Sequence, residues 1–250
     1  MFNVLSSYVD FLYPGSNDNK NISRYQMKKS EYILAILAVL AILILMRLDT
    51  LWKSLPPNGP HLIRLPNFLT SYECDSLVKA GNKAGLIDSE VSGNTDDKPA
   101  YLDTEARKSK QTWFATGKHP VSDMIQNKTR DFLRSRGMDD DSYVFEDIQL
   151  AKYTKDGFYK HHFDGEDCST VSCPKDQRLG TMIVYLQEPV AGGETDFPTL
   201  KTSVKPVKGN AAFFWVADPR TKQLFKETLH AGQPVKSGTK VIATQWIRAM

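Results

Sequence analysis

The sequence predicts an α+β domain built around a β-sandwich or jelly roll, carried behind one membrane-spanning helix. Three observations predict it. A single long apolar run, Ile33 to Met46, stands near the start of the chain. Two helical patterns follow, over Ser71–Ala84 and Val121–Leu133. From Asp147 onward the pattern becomes short strands separated by Gly and Pro: Ile148–Tyr153, Phe158–Phe163, Thr181–Leu186, Asn210–Val216 and Val241–Arg248.

The composition bounds the answer. The chain has 250 residues, of which 41% are hydrophobic, 24% charged and 10% aromatic. That is a globular composition, which excludes wholesale disorder, collagen-like repetition and a polytopic membrane protein. Lys and Arg total 32 against 29 Asp and Glu, a net charge of +3. Such a surplus gives no argument for a nucleic-acid partner. Three cysteines, Cys74, Cys168 and Cys173, are too few to build a disulfide scaffold.

In chain order, residues 1–31 read as a polar tail of nearly balanced charge. Residues 32–52 read as a single transmembrane anchor. The strict run of 14 residues spans ~21 Å as a helix, short of a ~30 Å hydrocarbon core. Tyr32 and Trp52 bracket 19 residues, or ~28 Å, and aromatic side chains favour both interfaces. The competing readings are a buried core helix and a late signal peptide. Lys20, Arg24, Lys28 and Lys29 precede the run, whereas Arg47 and Lys53 follow it. The positive-inside bias then places the tail in the cytosol and the rest in a lumen, as a type II protein of the endoplasmic reticulum or Golgi membrane. Residues 53–60, with Pro56-Pro57-Asn58-Gly59-Pro60, form a stiff linker. The remaining residues, 61–250, form the domain that carries chemistry. Within it Thr70 or Ser71 followed by Glu73 signals a helix start. Ser89–Lys110 is polar and reads as a long loop able to close over a ligand.

The chemistry centres on Tyr159-Lys160-His161-His162-Phe163-Asp164. His162 and Asp164 are two apart, so on a strand they share a face. His230, 66 residues after Asp164, is a third candidate ligand. Two imidazoles and one carboxylate with open positions opposite suit non-haem Fe(II). Alone, His-x-Asp better describes a surface strand with a hydrogen-bonded histidine. Lys240, ten residues after His230, opens the strand Val241–Arg248. It shares strand parity with Trp246; it reads either as a solvated lysine at a strand end or, pointing into a barrel, as a cation that needs an anion such as a dicarboxylate co-substrate. His161 falls on the opposite face from His162, and His61 and His119 have no partners in the sequence. Asn127-Lys128-Thr129 is a glycosylation sequon set within a helical pattern.

At larger scale the sequence resembles the Fe(II)- and 2-oxoglutarate-dependent dioxygenases, specifically the prolyl 4-hydroxylases of plant, algal and collagen type. The resemblance runs from about Leu62 to Arg248. It is carried by Arg64-Leu65-Pro66-Asn67-Phe68-Leu69, by Arg107-x-Ser109-x-x-Thr112-Trp113, and by Glu146-x-x-Gln149-x-x-x-Tyr153. Gln177-Arg178, Thr181 to Leu186 and Gly192-Gly193-Glu194-Thr195-x-Phe197-Pro198 continue it. The most specific part runs from Leu229-His230-Ala231-Gly232 through Lys240 to Trp246-Ile247-Arg248.

The resemblance implies a double-stranded β-helix core, cupin-like, with helices packed on one side. It implies that His162, Asp164 and His230 hold iron. Lys240 would pair with the distal carboxylate of 2-oxoglutarate, with Tyr153 and Thr195 adding hydroxyl hydrogen bonds. Glu146, Tyr159, Arg178 and Trp246 would line a peptide groove, although Tyr159 and Trp246 equally fit a core. The implied partners are a Pro-rich or collagen-like protein, O2 and the membrane, with no nucleic acid. L-ascorbate is implied as a further cofactor. The expected reaction gives 4-hydroxyproline, succinate and CO2. The rival readings are a 2-oxoglutarate oxygenase acting on another residue such as lysine, and a non-catalytic jelly-roll module that binds Pro-rich peptides. Cys168 and Cys173 form a possible disulfide in an oxidising lumen.

Overall fold

A computed structural model describes residues 34–43, 62–91, 100–169 and 172–250. The chain divides into two units, residues 1–49 and 50–250. In the first, residues 34–43 form a helix exposed throughout. Those ten residues span ~15 Å, about half a hydrocarbon core. Among the described residues no helix is long and apolar enough to cross a membrane, so the expected anchor over 32–52 lacks structural support. The flanks of that span, the tail 1–31 and the linker 53–60 lie outside the described residues.

The second unit opens with β1 (Ile63–Leu65), β2 (Ile87–Asp88), β3 (Arg107–Lys108), β4 (Lys110–Phe114) and β5 (Tyr143–Phe145). Next come β6 (Ile148–Tyr153), β7 (Phe158–His162), β8 (Arg178–Gln187), β9 (Ala191–Gly192) and β10 (Thr195–Phe197). It ends with β11 (Thr202–Val204), β12 (Ala211–Trp215), β13 (His230–Gly232), β14 (Val235–Ser237) and β15 (Lys240–Ala249). A major sheet runs β1-β12-β8-β15-β6-β4-β2, with β5 also paired to β15. A minor sheet runs β11-β10-β13-β7-β3, and β14 pairs with β9. This antiparallel architecture is the jelly-roll class expected from the strand pattern.

Two apolar cores explain why β8 and β15 are buried along nearly their whole length. Alternate residues of β15 go to opposite faces. Val241, Ala243 and Ile247 join a core under the helices, where Leu77, Ile125 and Leu133 pack on Leu150, Met182 and Phe213. Ile242 joins Tyr153, Ile183, Tyr185, Phe197 and Phe214 between the sheets. The helix approach is close: a Cβ on Gly81 would stand 2.8 Å from Leu150 Cδ1.

Both helices form where local chemistry starts them. Ser71–Ala84 begins behind Thr70, whose hydroxyl accepts from the Glu73 amide while the Glu73 carboxylate accepts from the Thr70 amide. The second helix, Pro120–Ser135, is slightly longer than the apolar pattern predicted. Pro120 fills its first turn and the His119 ring accepts from the Val121 amide. The expected loop Ser89–Lys110 is shorter than predicted, because Arg107–Lys108 pairs with β7 and Lys110 begins β4. Residues 92–99 of that loop lie outside the described residues.

Candidate active site

The two sheets face one another across a cavity, and each contributes different chemistry. His162 ends β7 and His230 opens β13, directly opposite in register. Asp164 was expected on the same strand as His162. The strand stops at His162, however, and Asp164 lies in the bend that follows. The bend still brings it home: ligand atoms of His162, Asp164 and His230 all lie within 4.8 Å of one another. Asp164 Oδ1 is 3.6 Å from His162 Nε2, and Oδ2 is 3.7 Å from His230 Nε2.

The surrounding hydrogen bonds settle the imidazole tautomers. His162 Nδ1 lies 2.8 Å from the Lys160 carbonyl and His230 Nδ1 lies 2.8 Å from the Thr228 carbonyl. A carbonyl only accepts, so each Nδ1 carries the proton and each Nε2 turns a lone pair inward. Burial and the neighbouring His230 push His162 down to about 3, which keeps it neutral as a ligand must be. Burial raises the Asp164 carboxyl, but His230, His162, Arg178 and the Thr181 hydroxyl together hold it below its ordinary value. Two neutral imidazoles and one anionic carboxylate are a donor set that fits Fe(II). Tyr159 stacks on His162 at 3.6 Å, and Phe197 and Phe214 enclose His230 at 5.5 and 5.0 Å.

Tyr159 would face away from His162 if β7 alternated strictly. His162 pairs with His230, yet Gly232 pairs with Tyr159, so β7 holds one extra residue between the two pairs. That bulge turns both rings to the same side.

The major sheet supplies the opposite wall. Lys240 is 2% exposed and registers with Tyr153 across β15 and β6. Its Nζ lies 5.4 Å from the Tyr153 ring centroid and 5.9 Å from that of Tyr185. Among the described residues it makes no ion pair; burial pushes its pKa down to about 8, against a weak pull upward from Glu194. A buried cation facing a cavity without a counter-ion fits a carboxylate ligand. Thr195 sits nearby on β10, its hydroxyl 2.9 Å from that of Tyr185. Tyr153, Thr195, Lys240 and the three ligand residues all line one cavity, which encloses about 430 Å³ including its open mouth.

The four groove candidates divide. Tyr159 and Trp246 line the cavity, and Trp246 Nε1 is buried without a hydrogen-bond partner among the described residues. Glu146 and Arg178 are mutually committed: Arg178 Nε and Nη2 donate to the two carboxylate oxygens at 2.5 and 2.7 Å. Arg248 adds a further bond to Glu146 at 2.7 Å. Arg178 also donates to the Asp164 carbonyl at 3.0 Å and lies 4.2 Å over the Trp246 ring. Cys168 and Cys173 are joined by a disulfide in the loop between Asp164 and Arg178. His161 is exposed beside Asp196, and His119 caps a helix.

Sequence reasoning did not assign Thr181, Tyr185, Arg107 or Gln149 any role here. Thr181 donates to Asp164 Oδ2 at 2.7 Å. Arg107 is buried, bonded to Gln149 at 3.0 Å and seated 4.7 Å over the Tyr159 ring. Parity carried the available signal: Thr181, Ile183 and Tyr185 alternate on one strand, as Lys240 and Trp246 do on another.

Comparison with known proteins agrees with this geometry. A family model for the 2OG-Fe(II) oxygenase superfamily matches residues 148–248. The crystal structure of the viral collagen prolyl hydroxylase of Paramecium Bursaria Chlorella virus-1, in its 2OG complex, is 52% identical. It aligns over 77% of this chain and 98% of that one, with a TM-score of 0.67. Probable prolyl 4-hydroxylase 4 of Arabidopsis thaliana is 30% identical over 217 residues, covering 75% of this chain and 67% of that protein. Prolyl 4-hydroxylase 1 of the same plant is 29% identical over 224 residues, covering 82% and 74%. The chain is a 2-oxoglutarate-dependent dioxygenase of the 2OG-Fe(II) oxygenase superfamily. Within that superfamily it belongs to the prolyl 4-hydroxylases.

Proposed function

We propose that this chain hydroxylates C4 of peptidyl proline, consuming O2 and 2-oxoglutarate and yielding succinate and CO2. The observation that carries the reading is one cavity holding His162, Asp164 and His230 on one wall and the uncompensated Lys240 on the other. In this reading the three ligand residues hold Fe(II), which supplies the oxidising chemistry when bound. Lys240 holds the distal carboxylate of 2-oxoglutarate, with Tyr153 and Thr195 donating hydroxyl hydrogen bonds. The chain thereby fixes the reacting end against the ligand residues and excludes water.

Proline as the target is supported by the 52% identical viral enzyme and by the cavity mouth. Tyr159 and Trp246 offer aromatic walls of the kind that hold polyproline-type chains. Glu146 and Arg178 back that wall through the pair they make. Ascorbate enters as a reductant that restores oxidised iron.

The test incubates the full chain with Fe(II), 2-oxoglutarate, ascorbate and a Pro-rich peptide, beside a His162→Ala control. The expected result is one added oxygen on proline by mass spectrometry in the unaltered protein alone. Enzyme-dependent succinate without oxidised proline would move the assignment to another residue such as lysine. Iron binding with neither product would leave a peptide-binding module.

We also propose that residues 32–52 anchor the chain, leaving the domain 61–250 in the lumen of the endoplasmic reticulum or Golgi. The exposed aliphatic face of residues 34–43 and the Cys168–Cys173 disulfide support this. Release from membranes by alkaline carbonate would sink it.

A further inference from the structure

His230 and Gly232 occupy alternate positions of β13 and both border the cavity. His230 faces the ligand cluster, whereas Gly232 faces Lys240. A Cβ built on Gly232 would stand 4.0 Å from Lys240 Nζ. Its other nearest neighbours would be Tyr159 N at 3.6 Å and Tyr159 Cβ at 3.7 Å. All three are ordinary contacts, and Gly232 is not in the left-handed region. The fold therefore does not need glycine here: neither backbone nor packing forbids a methyl group. What the methyl would take is room at the cavity wall, in contact with the buried ammonium of Lys240. Gly193, on the other flank, is a contrast. It has φ of 78° and a Cβ there would lie 3.3 Å from Lys240 Cδ, so its backbone and packing already account for it.

We propose that Gly232 is a specificity-determining residue, whose missing side chain keeps open the chamber through which a five-carbon 2-oxo dicarboxylate reaches Lys240. The inference rests on the co-substrate reading above. Two strand residues separate His230 from Gly232 by ~7 Å, so the chamber runs along β13 from the ligand cluster to Lys240. A methyl at Gly232 narrows its far end. A bound dicarboxylate then gives up its seat on Lys240 or on the ligand cluster.

The experiment measures 2-oxoglutarate binding, not turnover. The full chain is loaded with Mn(II) in place of Fe(II), and 2-oxoglutarate is titrated calorimetrically into the unaltered protein, Gly232→Ala, Gly232→Val and Lys240→Ala. Mn(II) affinity and melting temperature are measured on each. Overpacking of this kind is expected to weaken 2-oxoglutarate about tenfold in Gly232→Ala and further in Gly232→Val. Mn(II) affinity and the melting temperature of Gly232→Ala should stay unchanged. Wild-type 2-oxoglutarate affinity in Gly232→Ala, with binding lost in Lys240→Ala, would overturn this inference and leave the co-substrate reading standing. So would a Gly232→Ala variant whose loss is matched by a loss of Mn(II). If the unaltered protein fails to bind 2-oxoglutarate, or Lys240→Ala binds it equally well, the co-substrate reading falls and this inference with it.

Discussion

Replacing Lys240 with methionine should stabilise the ligand-free protein near neutral pH. Among the described residues Lys240 is buried without an ion pair, so folding moves its ammonium out of water and gains contacts with the Tyr153 and Tyr185 rings and a longer-range pull from Glu194. Its pKa falls from the ordinary 10.5 to about 8. That difference corresponds to a folding penalty of about 3 kcal/mol when the lysine is charged in both states. The sign follows from proton counting. Below pH 8 folded and unfolded chains are both protonated there, and the whole penalty is present. Between about 8 and 10.5 the unfolded chain holds the extra proton, so stability rises with pH and the penalty fades. Methionine keeps an unbranched apolar stem and discards the charge, at the loss of ring–cation contacts worth roughly 1 kcal/mol. Urea unfolding of both proteins should show Lys240→Met ahead by about 2 kcal/mol at pH 7, with the lead shrinking by pH 10. Saturating 2-oxoglutarate and Mn(II) should reverse the order, because ligand at a hundred times its Kd adds about 2.7 kcal/mol to the protein that binds it. A less stable variant at pH 7, or an equal gap at both pH values, would refute the reasoning.

Three further outcomes follow from contacts around the site. Thr181→Val keeps the shape of the side chain but removes the hydroxyl that donates to Asp164 Oδ2; metal affinity, read by competitive chelation, should fall about 10- to 100-fold. Glu146→Gln removes the anion that Arg178 and Arg248 share; Arg248 keeps Asp176, but the largely buried Arg178 guanidinium loses its ion-pair partner. Thermal unfolding should show a loss of about 3 kcal/mol, and peptide KM should rise as Arg178 and the Trp246 ring it covers shift. Replacing Cys168 and Cys173 with serine opens a short loop, for which chain-entropy arguments give about 2 kcal/mol; unfolding midpoints with and without reductant should coincide in that variant and differ in the parent.

How much of this was legible in the sequence depends on the range of the interaction that fixes each part. The Ser71–Ala84 helix was readable because its capping box lies within four residues. Strands β8 and β12 were readable because near-continuous apolar runs mark strands buried on both faces. Strands β3, β10 and β13 were not, since each is three residues or fewer and exists only by pairing with a distant partner. At the site, His162, Asp164, His230 and Lys240 stood out because few folds tolerate those groups facing inward. Thr181 and Tyr185 did not, because a threonine and a tyrosine in an apolar strand look like packing until their hydroxyl partners are known. The bulge in β7 is the instructive case. Parity alone turns Tyr159 away from His162, and only the pairing with β13 shows that one extra residue brings it back.

The division of labour between the sheets explains why the cavity is so poorly satisfied internally. The minor sheet carries two imidazoles whose outward nitrogens are already bonded to carbonyls, so their other nitrogens converge beside the Asp164 carboxylate. Among the described residues, the major sheet carries a cation without an ion pair and an indole N–H without an acceptor. Beside the cavity the Arg178 guanidinium is paired, with Glu146 serving both Arg178 and Arg248. Unpaired groups of opposite need, set on facing walls, do not cancel one another because the chamber separates them. Each costs folding free energy alone, and one elongated dianion plus one divalent cation would relieve them together. Binding energy at this site is therefore stability that the empty fold forgoes, which is why the Lys240→Met comparison should change sign when the ligands are added.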